Sequence, residues 1–335
     1  VEANTKILVT ETGGPEKLNL VDAPVPVPAA GEVLLRVEAV GVAFADVIMR
    51  LGFYPGVKVP FTPGYEVVGR VVSGDSFAPG VRVGALTVTG GYSRYLVVPA
   101  GDCVEVPAAL SSAQAASLVL NGLTAFQMLT RCVAQPSVQK MLVWGAAGGV
   151  GSVLLELGRH FGAETYGVAS GPRLEHVREL GGIPVDRTRG DVAETVRRES
   201  GGGVDVVFDG VGGPVAATSF AALRPGGLVV LFGFQSGLEG GKRDLFKIMR
   251  NTLTSPIKTA QSIFMSGRGL RGYLITDWKQ THADFYRADL AAVFELAASG
   301  RISPLIDREL PLAEAAEAHR LIGGGRNVGK IILCP

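Results

Sequence analysis

The segment Met141-Leu142-Val143-Trp144-Gly145-Ala146-Ala147-Gly148-Gly149-Val150-Gly151 limits the architecture of this chain more than any other. A short apolar run, too brief for a buried helix, enters a cluster of glycines and then an amphipathic stretch at residues 152–161. A continuous apolar strand, a tight bend and a helix make a βα unit whose strand is covered on both faces, as in a parallel sheet. The pattern repeats: residues 165–169, 204–209 and 228–232 read as further short strands, and residues 173–180 as an intervening helix. The expected fold of residues 119–258 is therefore α/β, a doubly wound parallel sheet.

The flanks have another texture. Residues 33–40, 64–72, 80–84 and 95–98 read as strands separated by Gly, Pro and Asp, after an extended connector Pro24-Val25-Pro26-Val27-Pro28. Ser111 is placed to cap an alanine-rich helix, and residues 123–131 continue helically. Beyond the α/β unit, residues 284–299 and 312–321 read as helices and 329–333 as a closing strand. The expected organisation is a nucleotide unit inserted between residues 1–118 and 259–335 of a largely β module.

The bend has chemical meaning. A helix N-terminus presents free backbone N–H groups and a positive dipole end, so a glycine-rich turn leading into one suits a phosphate. Ala146-x-Gly148-x-x-Gly151 occupies the dinucleotide fingerprint, with Ala in place of its usual first glycine. Gly148 lets backbone approach a pyrophosphate, and Gly151 lets helix pack on strand. The next strand ends in Ala169-Ser170-Gly171-Pro172-Arg173, without the carboxylate that binds a ribose 2′-hydroxyl. A Ser hydroxyl and an Arg guanidinium instead suit a 2′-phosphate, so NADPH is the expected ligand. Arg187, after the following short strand, is a possible second cation, and Asp209 reads as a turn residue.

Composition narrows the function classes. Lys plus Arg number 32 against 31 for Asp plus Glu, so no global field favours nucleic acid or an anionic membrane. No uninterrupted apolar run of about 18 residues predicts a membrane span. The start, Val1-Glu2-Ala3-Asn4, has neither part of a signal peptide, and its lack of an initiator Met points to trimming, a cleaved tag or a domain cut from a longer chain. Cys103, Cys132 and Cys334 form no CxxC pair and read as small buried hydrophobes in a reducing, cytoplasmic setting. His160, His176, His282 and His319 lack metal-ligand spacing and read as surface or helix-cap residues.

Taken in order, Gly41-Val42-Ala43-Phe44-Ala45-Asp46, Gly52-Phe53-Tyr54-Pro55, Pro63-Gly64-Tyr65-Glu66, Asn121-Gly122-Leu123-Thr124-Ala125, the glycine turn, Leu223-Arg224-Pro225-Gly226-Gly227, Phe232-Gly233 and Asn327-Val328-Gly329-Lys330 resemble, end to end, the zinc-free quinone oxidoreductase branch of the medium-chain dehydrogenase/reductase superfamily. Residues 240–245 and 326–335 are similar to the vesicle amine transport protein homologues within that branch. The resemblance implies a GroES-like, mostly β catalytic domain plus a Rossmann domain, an active site in the cleft between them, and a homodimer joined through cofactor-domain strands. It also implies that Asn121, Thr124, Ala147, Gly148, Gly149, Val150, Ser170, Arg173, Phe232, Gly233, Asn327 and Lys330 contact the cofactor. Arg187 replaces an aromatic residue common in relatives. Ala43 stands where relatives usually carry Asn beside the nicotinamide.

Zinc-dependent relatives need a Cys, a His-Glu pair and a further Cys, since the ion wants thiolate and imidazole ligands in tetrahedral array. Here those regions offer Ala43-Phe44 and Tyr65-Glu66, with no Cys-rich lobe after Pro99, so no metal is expected. Without a Lewis acid, hydride transfer to an already electrophilic acceptor is favoured: a quinone or an α,β-unsaturated carbonyl, small and hydrophobic. Tyr54 is the candidate proton donor, with simple packing as its other reading, and Asp46 the candidate organiser of the pocket. Ala43, Tyr65 and Tyr92 are candidate pocket residues. An enoyl-thioester reductase, with Lys242, Arg243, Lys247, Arg250, Lys258, Arg268 and Arg271 as a docking face, and a non-catalytic NADPH-binding protein are the alternatives.

Overall fold

A computed structural model describes residues 3–133, 138–233 and 260–335. Two sheets organise them. The first is six-stranded and wholly parallel, in the spatial order Ile183–Asp186, Glu164–Ala169, Lys140–Trp144, Val204–Asp209, Leu223–Leu231, Gly269–Gly272. Numbered along the chain this is 3-2-1-4-5-6, the order of a dinucleotide-binding Rossmann sheet, with the reversal falling between Lys140–Trp144 and Val204–Asp209. Ligands of such sheets sit outside the strands' carboxyl ends at that reversal. The strands Lys140–Trp144 and Val204–Asp209 are buried almost throughout, which is why they read as unbroken apolar runs.

The second sheet runs Ile306–Pro311, Lys330–Cys334, Glu32–Gly41, Glu66–Gly74, Arg82–Leu86, Cys103–Glu105, with Tyr95–Pro99 paired to the first half of Glu32–Gly41. It is antiparallel apart from its two C-terminal strands. The chain's end thus returns to the sheet built by its beginning and carries Lys330 to the strand pair Glu32–Gly41 and Glu66–Gly74. A hairpin of Asn4–Leu8 and Asn19–Ala23 lies apart from both sheets.

The helix Ser112–Val119 starts on a reciprocal cap. Ser111 Oγ accepts from Gln114 N at 3.1 Å, and Ser111 N donates to Gln114 Oε1 at 2.9 Å. The helix Gly149–His160 begins at the glycine turn and buries Val153, Leu154, Leu155 and Leu157 against the parallel sheet. Its close approach depends on Gly151, where a Cβ would lie 2.3 Å from Gly145 O and 2.7 Å from Ala146 Cα.

Several elements lie outside the sequence reading, among them the helices Val192–Glu199, Val215–Ala222 and Ile275–Thr281 and the strand Ile306–Pro311. The helix Phe44–Arg50 and the Asn4–Leu8/Asn19–Ala23 hairpin carry no strong periodicity and were not foreseen. The strand Gly269–Gly272 joins the parallel sheet although it lies beyond residue 258, where the nucleotide unit was expected to end. Its sequence, Gly-Leu-Arg-Gly, has one large apolar side chain, so hydropathy gives it no strand signal. The expected boundary at 258/259 lies outside the described residues.

Candidate active site

The glycine turn sits at the strand-order reversal. Gly145 takes φ +65°, open to glycine alone at little cost, and Gly148 N donates to Gly145 O at 2.8 Å to close the bend. A Cβ on Gly148 would meet only Gly145 O, at 3.1 Å; otherwise the space above this residue is open. Gly149 lies under Asn121: a Cβ there would fall 2.1 Å from the Asn121 amide nitrogen. The turn therefore combines open backbone at the head of a 12-residue helix with an amide side chain beside it. These residues fit a dinucleotide pyrophosphate.

The C-terminal segment closes on the same turn. Gly329, at φ +83°, bridges Gly148, and its N–H donates to Ala147 O at 3.3 Å. Asn327 Nδ2 donates to Gly329 O at 2.7 Å, which holds its amide beside the turn. Ser170 follows the strand Glu164–Ala169, and the Arg173 guanidinium donates to Gly325 O. Arg187 is exposed; its N–H donates to Ala169 O at 3.1 Å, so its backbone adjoins the strand end that carries Ser170. Phe232 packs its ring on Gly210, and a Cβ on Gly233 would touch Gly210 O at 2.5 Å. Thr124 and Asn121 are buried on the helix Asn121–Gln127. The turn, Asn121, Asn327, Phe232 and the Ser170–Arg173 pair thus gather along the carboxyl ends of the sheet. Val150 is half-buried in the first turn of the helix.

Lys330 behaves differently from a free cofactor contact. Its ammonium forms an ion pair with Glu66, and both are buried, at 4% and 0% exposure of the side chain. Glu66 also accepts from Leu120 N at 2.5 Å, so one carboxylate ties the N-terminal cap of Asn121's helix to the C-terminal strand. Burial raises the Glu66 pKa and the Lys330 charge opposes that rise. Gly41 provides the room, since a Cβ there would collide with both side chains. Glu66 as the partner of Lys330 escaped sequence reasoning, because the pairing joins residues far apart in the chain.

Asp46, completely buried, accepts from Ala43 N at 2.9 Å, Gly64 N at 3.0 Å and Tyr92 Oη at 3.3 Å. Burial pushes its pKa up to about 6, against the pull of the two backbone donors and the Lys330 charge. The carboxylate is spent on holding the loop walls at Ala43 and Gly64. Tyr92 is a correction to its expected pocket role: it is fully buried, with its hydroxyl between Asp46 and His319 Nε2 at 3.1 Å. His319 is another, being 1% exposed rather than at the surface, with its pKa pushed down to about 3 by burial and by Arg50. It shares one helix face with Ala315 and Ala318, and that spacing was the available signal.

Tyr54 lies half-buried in the loop after the helix Phe44–Arg50, its hydroxyl 2.7 Å from that of Tyr65. Tyr65 is 2% exposed and its pKa is raised, first by burial and then by the hydrogen bond to Tyr54. Asp209 does act in a turn, accepting from Val211 N, Gly212 N and Ser219 Oγ at 2.8–2.9 Å. Of the expected basic face, Lys242, Arg243, Lys247, Arg250 and Lys258 lie outside the described residues. Arg271 is committed internally, to Cys132 O at 3.2 Å and over the Trp278 ring. Among the described residues no three His, Cys, Asp or Glu side chains group where they could hold a metal ion, and no helix is long and apolar enough to cross a membrane.

Known proteins carry the same arrangement. Residues 29–108 match the alcohol dehydrogenase GroES-like domain family, and residues 182–333 the zinc-binding dehydrogenase family. The 2-haloacrylate reductase of Burkholderia sp is 31% identical over 98% of both chains. The rat synaptic vesicle membrane protein VAT-1 homolog is 32% identical over 98% of this chain and 83% of its own. This chain belongs to the medium-chain dehydrogenase/reductase superfamily, in its quinone oxidoreductase branch. The crystal structure of Escherichia coli quinone oxidoreductase complexed with NADPH superposes with a TM-score of 0.88 at 26% identity, covering 99% of this chain and 100% of the other. The GroES-like and Rossmann domains expected from sequence are those of this superfamily. The described donor set does not fit the zinc of the family's name, because Ala43 and Tyr65 offer no ligand and Glu66 is engaged by Lys330 and Leu120.

Proposed function

We propose that the protein is a zinc-independent, NADPH-dependent reductase of quinones or α,β-unsaturated carbonyls, acting as a cytoplasmic homodimer. The observation that carries this reading is the open Gly148 cradle at the head of Gly149–His160, with Ser170 and Arg173 where a carboxylate would select NADH. The E. coli quinone oxidoreductase and the Burkholderia reductase, whose acceptor by name is a carbon–carbon double bond conjugated to a carboxyl group, support the acceptor class.

Bound at the turn, NADPH supplies hydride to the acceptor. The chain's own residues do the rest. The N–H groups at the head of Gly149–His160 hold the pyrophosphate, and Asn121 lies against the same turn. Asp46 fixes the walls at Ala43 and Gly64, so Ala43 sets the width of the acceptor pocket. Tyr54 donates the proton, because its phenol carries no buried charge and Asp46 is already committed. The strand Gly269–Gly272, the edge of the parallel sheet among the described residues, with Leu270, Phe264 and Met265 exposed, supports the dimer.

NADPH and NADH consumption with quinones, enones and enoyl thioesters tests the reading. Quinone or enone turnover is expected, and preference for enoyl thioesters would replace the acceptor class. Tight NADPH binding with no turnover of any acceptor overturns the reductase. Arg173→Glu should raise KM for NADPH about 10–100-fold while leaving NADH turnover nearly unchanged. An equal effect on both cofactors would remove Arg173 from the 2′-phosphate site.

A further inference from the structure

We propose that Tyr65 is a positioning residue for proton delivery: its phenol donates to Tyr54 Oη, frees the Tyr54 hydroxyl hydrogen for the acceptor, and stabilises the phenolate left on Tyr54. The inference rests on the reading of Tyr54 as proton donor.

The two oxygens are 2.7 Å apart, and the rings meet edge to face, 6.1 Å between centroids at 72°. Tyr65 is held rigidly. Its carbonyl accepts from both Thr87 N at 2.9 Å and Val88 N at 3.1 Å, and Gly64, one residue earlier, is bonded to Asp46. Val88 sits at φ 67°, a left-handed conformation unusual for a β-branched side chain. Strain of this kind persists where the surroundings over-determine the backbone, and it recurs at working sites.

Each phenol has one hydrogen, so the direction of the bond matters. Either hydroxyl can donate across the 2.7 Å contact; Tyr65, the buried phenol with Thr276 as its other hydrogen-bond partner, is assigned as the donor. In that assignment, Thr276 to Tyr65 to Tyr54, the Tyr54 hydrogen is the one that faces the acceptor. Tyr54 is also the more exposed of the two, half-buried against 2% for Tyr65.

For an enone, the reduction step leaves an enolate, with both electrons supplied by NADPH. The Tyr54 O–H bond then breaks, its proton goes to the enolate, and the electron pair stays on the Tyr54 oxygen. The Tyr65 hydrogen bond strengthens onto that charged oxygen, as charge-assisted bonds do. Water returns the proton to Tyr54 after product leaves.

The test is kcat and KM across the alkaline pH range, with NADPH and an enone, for wild type, Tyr54→Phe, Tyr65→Phe and the double variant. Retained NADPH fluorescence titration and unchanged Tm establish that each variant is folded, and Thr276→Val, which leaves both rings in place, provides a milder second probe. Tyr54→Phe is expected to lower kcat about 100-fold with KM for NADPH unchanged. Tyr65→Phe is expected to lower kcat about 10-fold and move the alkaline limb of the profile up by about one pH unit, since the Tyr54 phenolate loses its donor. Thr276→Val should move the limb the same way by less, and adding Tyr65→Phe to Tyr54→Phe should cost nothing more. An unmoved limb in Tyr65→Phe, or the same further loss in the Tyr54→Phe background, overturns the positioning role and leaves the donor reading intact. Unchanged kcat in Tyr54→Phe overturns the donor reading and the inference with it.

Discussion

His319 is one of four histidines, and the fold removes it alone from water. Its Nε2 meets Tyr92 Oη, which meets Asp46, so three elements converge on one buried polar chain. Arg50 lies buried beside it and opposes a second positive charge. With its pKa lowered from 6.5 to about 3, His319 stays neutral in the native state while the unfolded chain takes up a proton below pH 6.5. Stability from this group is therefore whole above pH 6.5 and lost as pH falls toward 3. His319→Gln keeps an N–H for Tyr92 and removes the titration. Between pH 6.5 and 4.5 the wild type should lose about 2–3 kcal/mol more than this variant, read by denaturant unfolding at both values. Equal losses would remove His319 from the acid response. Ala315, Ala318 and His319 share a helix face, so burial was legible at this position. Its partner was not, because Tyr92 is 227 residues away.

The glycine turn shows how an element separates folding from binding. At Gly151 a Cβ strikes backbone, whereas at Gly148 it enters open space beside one carbonyl. Gly151→Ala should therefore lower Tm through about 2 kcal/mol or more of lost stability, since strand and helix must move apart. Gly148→Val should keep a nearly wild-type Tm and weaken NADPH binding at least about 10-fold, read by fluorescence titration. The reverse pattern would mean that the cradle lies elsewhere. The turn was legible because apolar strand, glycines and helix are contiguous and each feature is local. Phe44–Arg50 was not, since it is set by Asp46 accepting from Ala43 and Gly64 rather than by a periodic apolar face. Gly269–Gly272 was not either, because its pairing with Leu223–Leu231 uses backbone, which any sequence supplies.

Contacts between residues far apart in the chain fasten the molecule: Gly329 to the turn at Ala147 and Gly148, Glu66 to Leu120 and Lys330, and Ser303 N to Glu156 Oε1 at 2.9 Å. Among the described residues, Gly269–Gly272 is the last strand of the parallel sheet, and exposed apolar side chains lie on and beside it, with Phe264 81% and Leu270 44% exposed. If two copies join there, Phe264→Lys with Leu270→Lys should shift the sedimenting species from dimer to monomer, while unchanged sedimentation would move the interface elsewhere. Local order in the amino acids was enough to specify the βα alternation, the glycine-rich bend and the absence of a carboxylate after Ala169. These depend on neighbours a few residues apart. The Tyr54–Tyr65 pair, the Glu66–Lys330 ion pair and the Asp46–Tyr92–His319 chain were decided only when the sheets closed. Their energies come from hydrogen bonds and charges at about 3 Å in surroundings partly or wholly withdrawn from water, and sequence spacing does not encode which distant polar groups will meet there.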